Sequence, residues 1–375
     1  MAGTLQVSPS PAVRLELAQR GGATAGRCYQ CATCSSVCEL STPEAPFPRQ
    51  QMLLAQWGMA ERLSGDPAVW LCHQCGDCTE RCPRDARPGD VLQGLRSTVI
   101  EALAFPTFIG KLVGNVRKTW PVLIALPWIF WMLLWAAGVI KINANEGGYL
   151  HAFEDFVPHG VIYSVFFPVA AFVTLAAGIG GMRFWRRMGE GSSRKGSFMS
   201  GLIPVVMDIL AHKTFGSCGK ITMRRWAHLA LFWGFIGAAL TSGLLIYAIY
   251  IQHAEMPLPL MHPFKILGNL SAVLLVFGGF LLFTSRFGTH KSLIGSSAFD
   301  IFFISVVGLV IASGCVAEIA RFVLPATAAA FIYTIHLGVV LTLFLTFPYS
   351  KFAHMLYRTL ALVHQRTIET QKKAA

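Results

Sequence analysis

From residue 120 onward the chain is dominated by long apolar stretches, near 120–140, 160–182, 227–250, 266–284, 299–323 and 327–347. Each holds about 20 residues, enough for a helix to cross ~30 Å of hydrocarbon. The glycines and prolines inside them are tolerated in membrane helices. The first hundred residues are polar by contrast. Between 43 and 68, Met52, Leu53, Leu54, Trp57 and Leu63 fall at the spacing of a helix with one buried face, and 89–105 reads the same way. No β-type alternation breaks the pattern. The prediction is an all-α protein: a helical domain over 1–105, a basic linker over 106–119 (Lys111, Arg117, Lys118), a six-span helical bundle over 120–358 and a tail over 359–375. One further apolar stretch, 201–215, is short for a span and carries Asp208, His212 and Lys213. It predicts a helix lying in the interface or docking a partner.

Composition sharpens this picture. Of 375 residues, 54% are hydrophobic and 13% charged, against roughly 25% charged in soluble proteins. The net charge of +12 does not point to nucleic acid, because the basic residues lie mostly beside the spans. The 183–226 loop is rich in Arg and Lys, 285–298 has Arg286 and Lys291, and the C-terminal end has Lys351, Arg358 and Arg366. The 141–159 loop sets Lys141 against Glu146, Glu154 and Asp155. The positive-inside rule then places both termini in the cytoplasm, in a multi-pass protein of the cytoplasmic (inner) membrane surrounded by lipid. Residues 1–27 lack the apolar core of a signal peptide, which predicts the same orientation.

Two runs of four cysteines carry the chemistry: Cys28, Cys31, Cys34, Cys38 and Cys72, Cys75, Cys78, Cys82. Both read C-x2-C-x2-C-x3-C, and Pro83 follows the second, which is the spacing of two-cluster ferredoxins. In that motif the fourth cysteine of each run serves the other run's cluster. One [4Fe–4S] cluster would take Cys28, Cys31, Cys34 and Cys82, and the other Cys72, Cys75, Cys78 and Cys38. Disulfides fit poorly without a secretory signal, and zinc sites usually use isolated C-x2-C pairs. Cys315, inside a span, reads as a small buried apolar residue, and Cys218 has no assigned role.

Histidines at membrane depth are rare and functional by default. His228 opens the third span, while His336 and His354 stand on the sixth apolar segment. The latter two are eighteen positions apart, five turns of a continuous helix or about 27 Å along its axis. Topology puts His228 and His354 at the cytoplasmic end, a natural bis-histidine pair for one b-type haem. His336, toward the other side, needs another partner. His159, which opens the second span, is favoured over His262, His253 and His151. His73, His212, His290 and His364 show no partner pattern.

These motifs resemble known families. The cysteine runs, with DPAVWLCHQCGDCTERCPRDARPGD, resemble the small iron–sulfur protein of heterodisulfide reductases. The spans, with RRWAHLALFWGF and HLGVVLTLFLTFPYSKFAH, resemble their cytochrome b subunit and, more distantly, that of respiratory nitrate reductase. The fusion resembles the C subunits of quinone-interacting membrane-bound oxidoreductase (Qmo) complexes, from about residue 20 to the end. The resemblance implies haem ligation by His228, His336 and His354. The nitrate-reductase-type fourth ligand, ten residues past His228, is here Ala238, so a second b haem would need a substitute ligand. Lys265 matches a lysine at the quinol site of that family, although a lysine at a span end also simply snorkels. The resemblance further implies two b haems, menaquinone or ubiquinone as substrate, flavin-containing partner subunits like heterodisulfide reductase A, and APS reductase beyond them in dissimilatory sulfur metabolism. The chain itself lacks a glycine-rich nucleotide fingerprint. The expectation is an electron-transfer subunit of a quinone-linked oxidoreductase. The alternatives are a membrane component of a heterodisulfide reductase-like complex, a transporter with a redox domain, and an iron–sulfur protein on a passive membrane anchor.

Overall fold

The computed structural model describes residues 8–143, 148, 150, 152–190, 196–213, 222–288 and 295–372. Among them the secondary structure is helical, with no strand. The N-terminal domain is built on α1 (Pro11–Leu17), α2 (Arg49–Trp57) and α3 (Pro88–Leu103), with shorter turns carrying the cysteines. Pro88 starts α3, where its missing N–H costs nothing. Val91, Leu92, Leu95, Val99 and Leu103 lie buried along α3 at helical spacing, against Leu17, Met52, Leu63 and Trp70. The helix expected over 43–68 forms in two pieces, α2 and Ala60–Ser64. Gly58 ends the first in a left-handed conformation, and a Cβ there would stand 2.1 Å from the Ser10 carbonyl oxygen.

The residues read as a linker are themselves helical, as α4 (Thr107–Gly114) and the first turn of α5 (Val116–Ala136). Six helices are long and apolar enough to cross a membrane. They are α5, α6 (His159–Gly189), α8 (Thr222–Tyr250), α9 (Pro263–Phe287), α10 (Ala298–Val323) and α11 (Ala326–Thr346). Between α6 and α8 lies α7 (Phe198–Leu210), the short apolar helix expected near 201–215. Leu126, Phe167, Val273 and Phe280 are exposed on the spans, an apolar surface that suits lipid and not water. The first span begins four residues earlier than expected, and Gly138, at φ +70°, turns the chain out of the helix at its far end.

The sixth segment corrects an expectation. α11 ends at Thr346, two 3-10 turns follow, and a separate helix α12 (His354–Lys372) begins. Pro348 cannot continue a helix, and Ser350 is extended at φ −97°, ψ −171°. His336 and His354 therefore do not share one continuous helix, and the common-face argument over eighteen residues does not apply. The break sends α12 out of the bundle to pack against the cysteine domain, with Tyr357 on Trp70 at 4.9 Å between ring centroids.

α8 and α9 pack along their length through small residues, as membrane helices do. A Cβ on Gly278 would stand 2.8 Å from the Leu231 nitrogen and 2.9 Å from the Ala227 oxygen. Backbone cannot yield as a side chain does, so Gly278→Ala is expected to cost about 1–3 kcal/mol, read as a lower melting temperature in detergent. Gly243, also on α8, has nothing within 4 Å. Gly243→Ala is expected to be neutral or to stabilise by up to about 1 kcal/mol through helix propensity. Equal losses at both positions would show that the α8–α9 contact is not what Gly278 protects.

Candidate functional site

The two cysteine runs repeat one backbone geometry. Gln30 and Ala32 in the first, and Gln74 and Gly76 in the second, all have positive φ. Short helices at Thr33–Ser36 and Asp77–Glu80 then carry Cys34 and Cys78. Such tight turns bring closely spaced sulfurs to one side. Backbone and side-chain groups reach the sulfurs: Gln74 N–H donates to Cys72 Sγ at 3.3 Å, Ala86 N–H to Cys82 Sγ at 3.4 Å, and Gln30 Nε2 to Cys28 Sγ at 3.5 Å. A hydrogen bond with Thr33 lowers the Cys31 pKa. Burial raises Cys34 and Cys78, and pushes Cys38 up to about 11. Those sulfurs become thiolates on binding metal, so loading releases protons.

Neighbouring sulfurs come from both runs. One cavity is lined by Cys28, Cys31, Cys34 and Cys82, three from the first run and the last of the second. Cys38 has Cys72, Cys75 and Cys34 as electrostatic neighbours, and Cys78 has Cys72, Cys75, Cys38 and Cys34, with the second-run sulfurs acting most strongly on each. None of the nine described cysteines is tied up in a disulfide. Among the described residues no three His, Cys, Asp or Glu side chains close on one point as a single ion would need. A donor set of thiolates around a wider cradle fits an iron–sulfur core. Cys315 is half-buried in α10, while Cys218, His151 and His290 lie outside the described residues.

Three arginines gather on the second cysteine loop. Arg96 from α3 donates to the carbonyls of Val69 at 2.8 Å and Cys72 at 2.7 Å. Arg358 from α12 donates to Trp70 at 3.1 Å, Leu71 at 3.3 Å and Cys72 at 3.2 Å, and its other nitrogen lies 3.2 Å from His73 Nδ1. Arg224 from α8 donates to the Gln74 carbonyl at 2.8 Å. Burial, with these three charges close by, pushes His73 down to about 4.

His228 and His354 come together, with ring centroids 6.3 Å apart. His354 Nδ1 lies 2.5 Å from the Lys351 carbonyl oxygen, which only accepts, so Nδ1 carries the proton and Nε2 the lone pair. Burial pushes His354 down to about 4, leaving it neutral, as a ligand must be. A third histidine joins them. His212 Nδ1 faces the Leu210 carbonyl at 3.4 Å, and its Nε2 lies 3.0 Å from His228 Nδ1. By the same reasoning His212 accepts from His228, directing the His228 lone pair to Nε2. His212 follows α7 in a left-handed conformation, φ +48°. Nothing in its local sequence marks it as a partner of His228. Nearby, Asp300 is fully buried, with Lys351 Nζ at 2.5 Å and Arg286 at 3.6 Å. Its side chain also closes a capping box with Ser297 at the start of α10. Gln93 and Asp90 of the cysteine domain reach the same end through Ser297 and Gly295.

The far end of the bundle is less complete. His336 lies against Gly314, with Ser313 Oγ 3.0 Å from its Nδ1. His159 is engaged by Glu154 at 3.1 Å and lies along Tyr163. His262 caps α9 by accepting from the Phe264 N–H at 3.3 Å. No described contact joins His336 to His159, His262 or His253. Ala238 packs in an apolar cluster with Leu275 and Ile311. Lys265 donates to Glu318 at 2.6 Å, and Arg321 holds the same carboxylate at 2.9 Å, so the Lys265 charge is already met by protein.

Comparisons with known proteins agree with the two-part architecture. Residues 24–86 match a 4Fe-4S dicluster domain, and residues 121–375 match the family of citrate utilization protein B. Citrate utilization protein B of Escherichia coli is 26% identical over 367 residues, covering 90% of this chain and 88% of that protein. The C subunit of the H(2):CoB-CoM heterodisulfide,ferredoxin reductase of Methanothermobacter thermautotrophicus is 35% identical over 100 residues, 26% of this chain and 54% of that protein. An Archaeoglobus profundus protein like the C subunit of heterodisulfide reductase is 33% identical over 78 residues, 20% of this chain and 42% of that protein. The chain thus spans about half the length of these two archaeal relatives, or less. No solved structure matches.

Proposed function

The chain belongs to the family of citrate utilization protein B, and from that premise we propose that it is the membrane electron-transfer subunit of a quinone-linked oxidoreductase. Its four-iron clusters and at least one b haem, on His228 and His354, supply one-electron redox chemistry between a soluble flavin-containing partner and membrane quinone. The observation that carries this reading is the coexistence, in one fold, of two cysteine runs whose sulfurs meet and a buried histidine pair at the cysteine-domain end of the spans. A passive anchor has no use for a buried neutral histidine pair braced through both Nδ1 atoms. A transporter has no use for the cysteine sets. The cysteine domain is proposed to face the cytoplasm, on the distribution of Arg and Lys between the loops.

The partner's chemistry follows from the relatives. The relatives named as C subunits of heterodisulfide reductases favour a further subunit of such a complex as partner, and its flavin rests on the sequence resemblance alone. A relative named for citrate utilization, aligned over nearly the whole chain, favours a partner that acts in the use of a carboxylic acid such as citrate. APS reductase as the further partner rests on the Qmo resemblance alone. His336 is the ligand available to a second haem, with His159 as its proposed partner. Lys265 remains the proposed quinone contact, acting from within its ion pair with Glu318.

The test is haem by pyridine haemochrome, with non-haem iron and sulfide, on the purified full chain, followed by addition of menadiol. Two clusters and one or two b haems per chain, with the haem bands reduced by menadiol, are expected. Intact protein with clusters and no haem would make it an iron–sulfur protein on an anchor.

A further inference from the structure

We propose that Arg96, Arg224 and Arg358 make the second cysteine loop the membrane-side one. They tie it to the helices carrying His228 and His354, and they raise the reduction potential of the cluster it holds above that of the first. This rests on the cluster reading above and adds an order to it.

The geometry is specific to one loop. The carbonyls of Val69, Trp70, Leu71, Cys72 and Gln74 all accept from these arginines, and that of Cys72 accepts from two. Arg358 stands one helical turn after His354 on α12, and Arg224 one turn before His228 on α8. Residues four apart share a helix face, so the side of each helix that presents the histidine also grips the loop. Trp70 adds an apolar joint, packing on Phe184 of α6 and Tyr357 of α12. The first loop has no such anchorage among the described bonds. Gln56 holds the carbonyls of Ala25 and Cys28, Arg27 pairs with Asp85, and Arg84 lies over Tyr29, all within the cysteine domain.

Exposure points the same way. Each run has buried cysteines, Cys34 in the first and Cys72 and Cys78 in the second, but Cys31 and Tyr29 of the first are exposed, Tyr29 at 69%, and no cysteine of the second is. The first loop is the face a soluble partner can reach. The second is enclosed between domain and membrane.

Electrostatics turns this placement into a gradient. A cluster gains negative charge on reduction, so fixed cations in a low-dielectric surround favour its reduced form. Net charge, hydrogen bonding and solvent exposure are the levers that set such potentials. The Arg96 and Arg224 charges act directly on Cys72, and that of Arg224 also on Cys75. The first cavity has cations too, since Arg49 and Arg84 line it and the Arg49 charge acts on Cys31, but Cys31 is open to water, which screens that charge, and Arg27 is exposed and paired with Asp85. The gradient favours electron movement from the exposed face toward the membrane. In the balanced reaction a reduced flavin of the partner gives up two electrons and two protons, and a quinone takes up two electrons and two protons.

The test is an EPR-monitored redox titration of the purified full-length protein, with C31S and C75S assigning the two signals. In the wild-type chain the signal lost in C75S is expected to titrate at the higher potential. R358Q and R224Q are each expected to lower that signal and leave the other in place, while R358K retains more of the potential than R358Q. R224Q carries the test alone where R358Q does not fold. A shift in the C31S signal, or no shift in either, would overturn the assignment. Wild-type protein lacking iron and sulfide would instead remove the cluster reading beneath it.

Discussion

Cys38→Ser is expected to halve the non-haem iron of this protein, from about eight to about four atoms per chain, by removing the cluster that its own run does not build. The reason is spatial. Cys38 sits at the end of the first run, yet Cys72 and Cys75 act on it more strongly than Cys34 of its own run, and Cys78 in turn feels Cys38. The first cavity is closed by Cys82 instead. A serine oxygen is a poor ligand for iron beside soft thiolates, so three sulfurs would be left to hold a core that needs four. The EPR signal lost in Cys38→Ser is expected to be the one lost in Cys75→Ser, and Cys82→Ser is expected to remove the other. Loss of the Cys31-type signal in Cys38→Ser would mean that each run ligates its own cluster. A second consequence concerns stability. Crossed ligation staples the residues around Cys38 to those around Cys72, so the variant is expected to expose both segments to protease while the spans stay intact. That pattern separates a lost staple from general misfolding.

What could be read before the structure, and what could not, divides by range along the chain. The two cysteine runs were legible because a short fixed spacing carries them, and the repeated left-handed residues at Gln30, Ala32, Gln74 and Gly76 are the local turns that spacing requires. The spans were legible from hydropathy, to within a turn or so at most ends. The break after Thr346 was not, because apolar residues run on through Phe347 and the five-turn interval between His336 and His354 imitates a continuous helix. Pro348 was the available signal, since proline removes the donor that the next turn needs. The arginines on the second loop were hidden for a different reason. Arg358 and Trp70 are nearly three hundred residues apart in sequence, and a basic residue beside a span is already explained by orientation, so the positive-inside rule masked a structural role. Their placement one turn from His228 and His354 was the clue present in the sequence. His212 had no clue of that kind. It lies in a loop, and only the fold of α7 against α12, with Arg366 paired to Asp208, carries it to His228.

The three histidines at this end of the bundle are not equivalent, and replacing each in turn is expected to show it. Two imidazole nitrogens that would hold one iron between them cannot also stand at hydrogen-bond distance from each other. His212 Nε2 and His228 Nδ1 are 3.0 Å apart, a hydrogen bond with no room for a metal between them. His228 and His354, with ring centroids 6.3 Å apart, have that room. His228→Ala and His354→Ala are therefore expected each to abolish the haem at this end, leaving at most the haem of the far end, while non-haem iron and sulfide stay at wild-type levels. His212→Phe keeps an aromatic ring in place but removes the acceptor that fixes the His228 tautomer. Haem is expected to bind there, with affinity weakened about 10- to 100-fold, as for other partners that orient a ligand, and with an altered low-spin EPR spectrum. His212→Gln, which restores an acceptor, is expected to recover part of that loss. Retention of the haem in His354→Ala together with its loss in His212→Phe would reverse the assignment and make His212 the ligand. The outcome also bears on the route into the membrane, because His354 shares α12 with Arg358 and is thereby tied to the second cysteine loop, whereas His212 has no such tie among the described contacts.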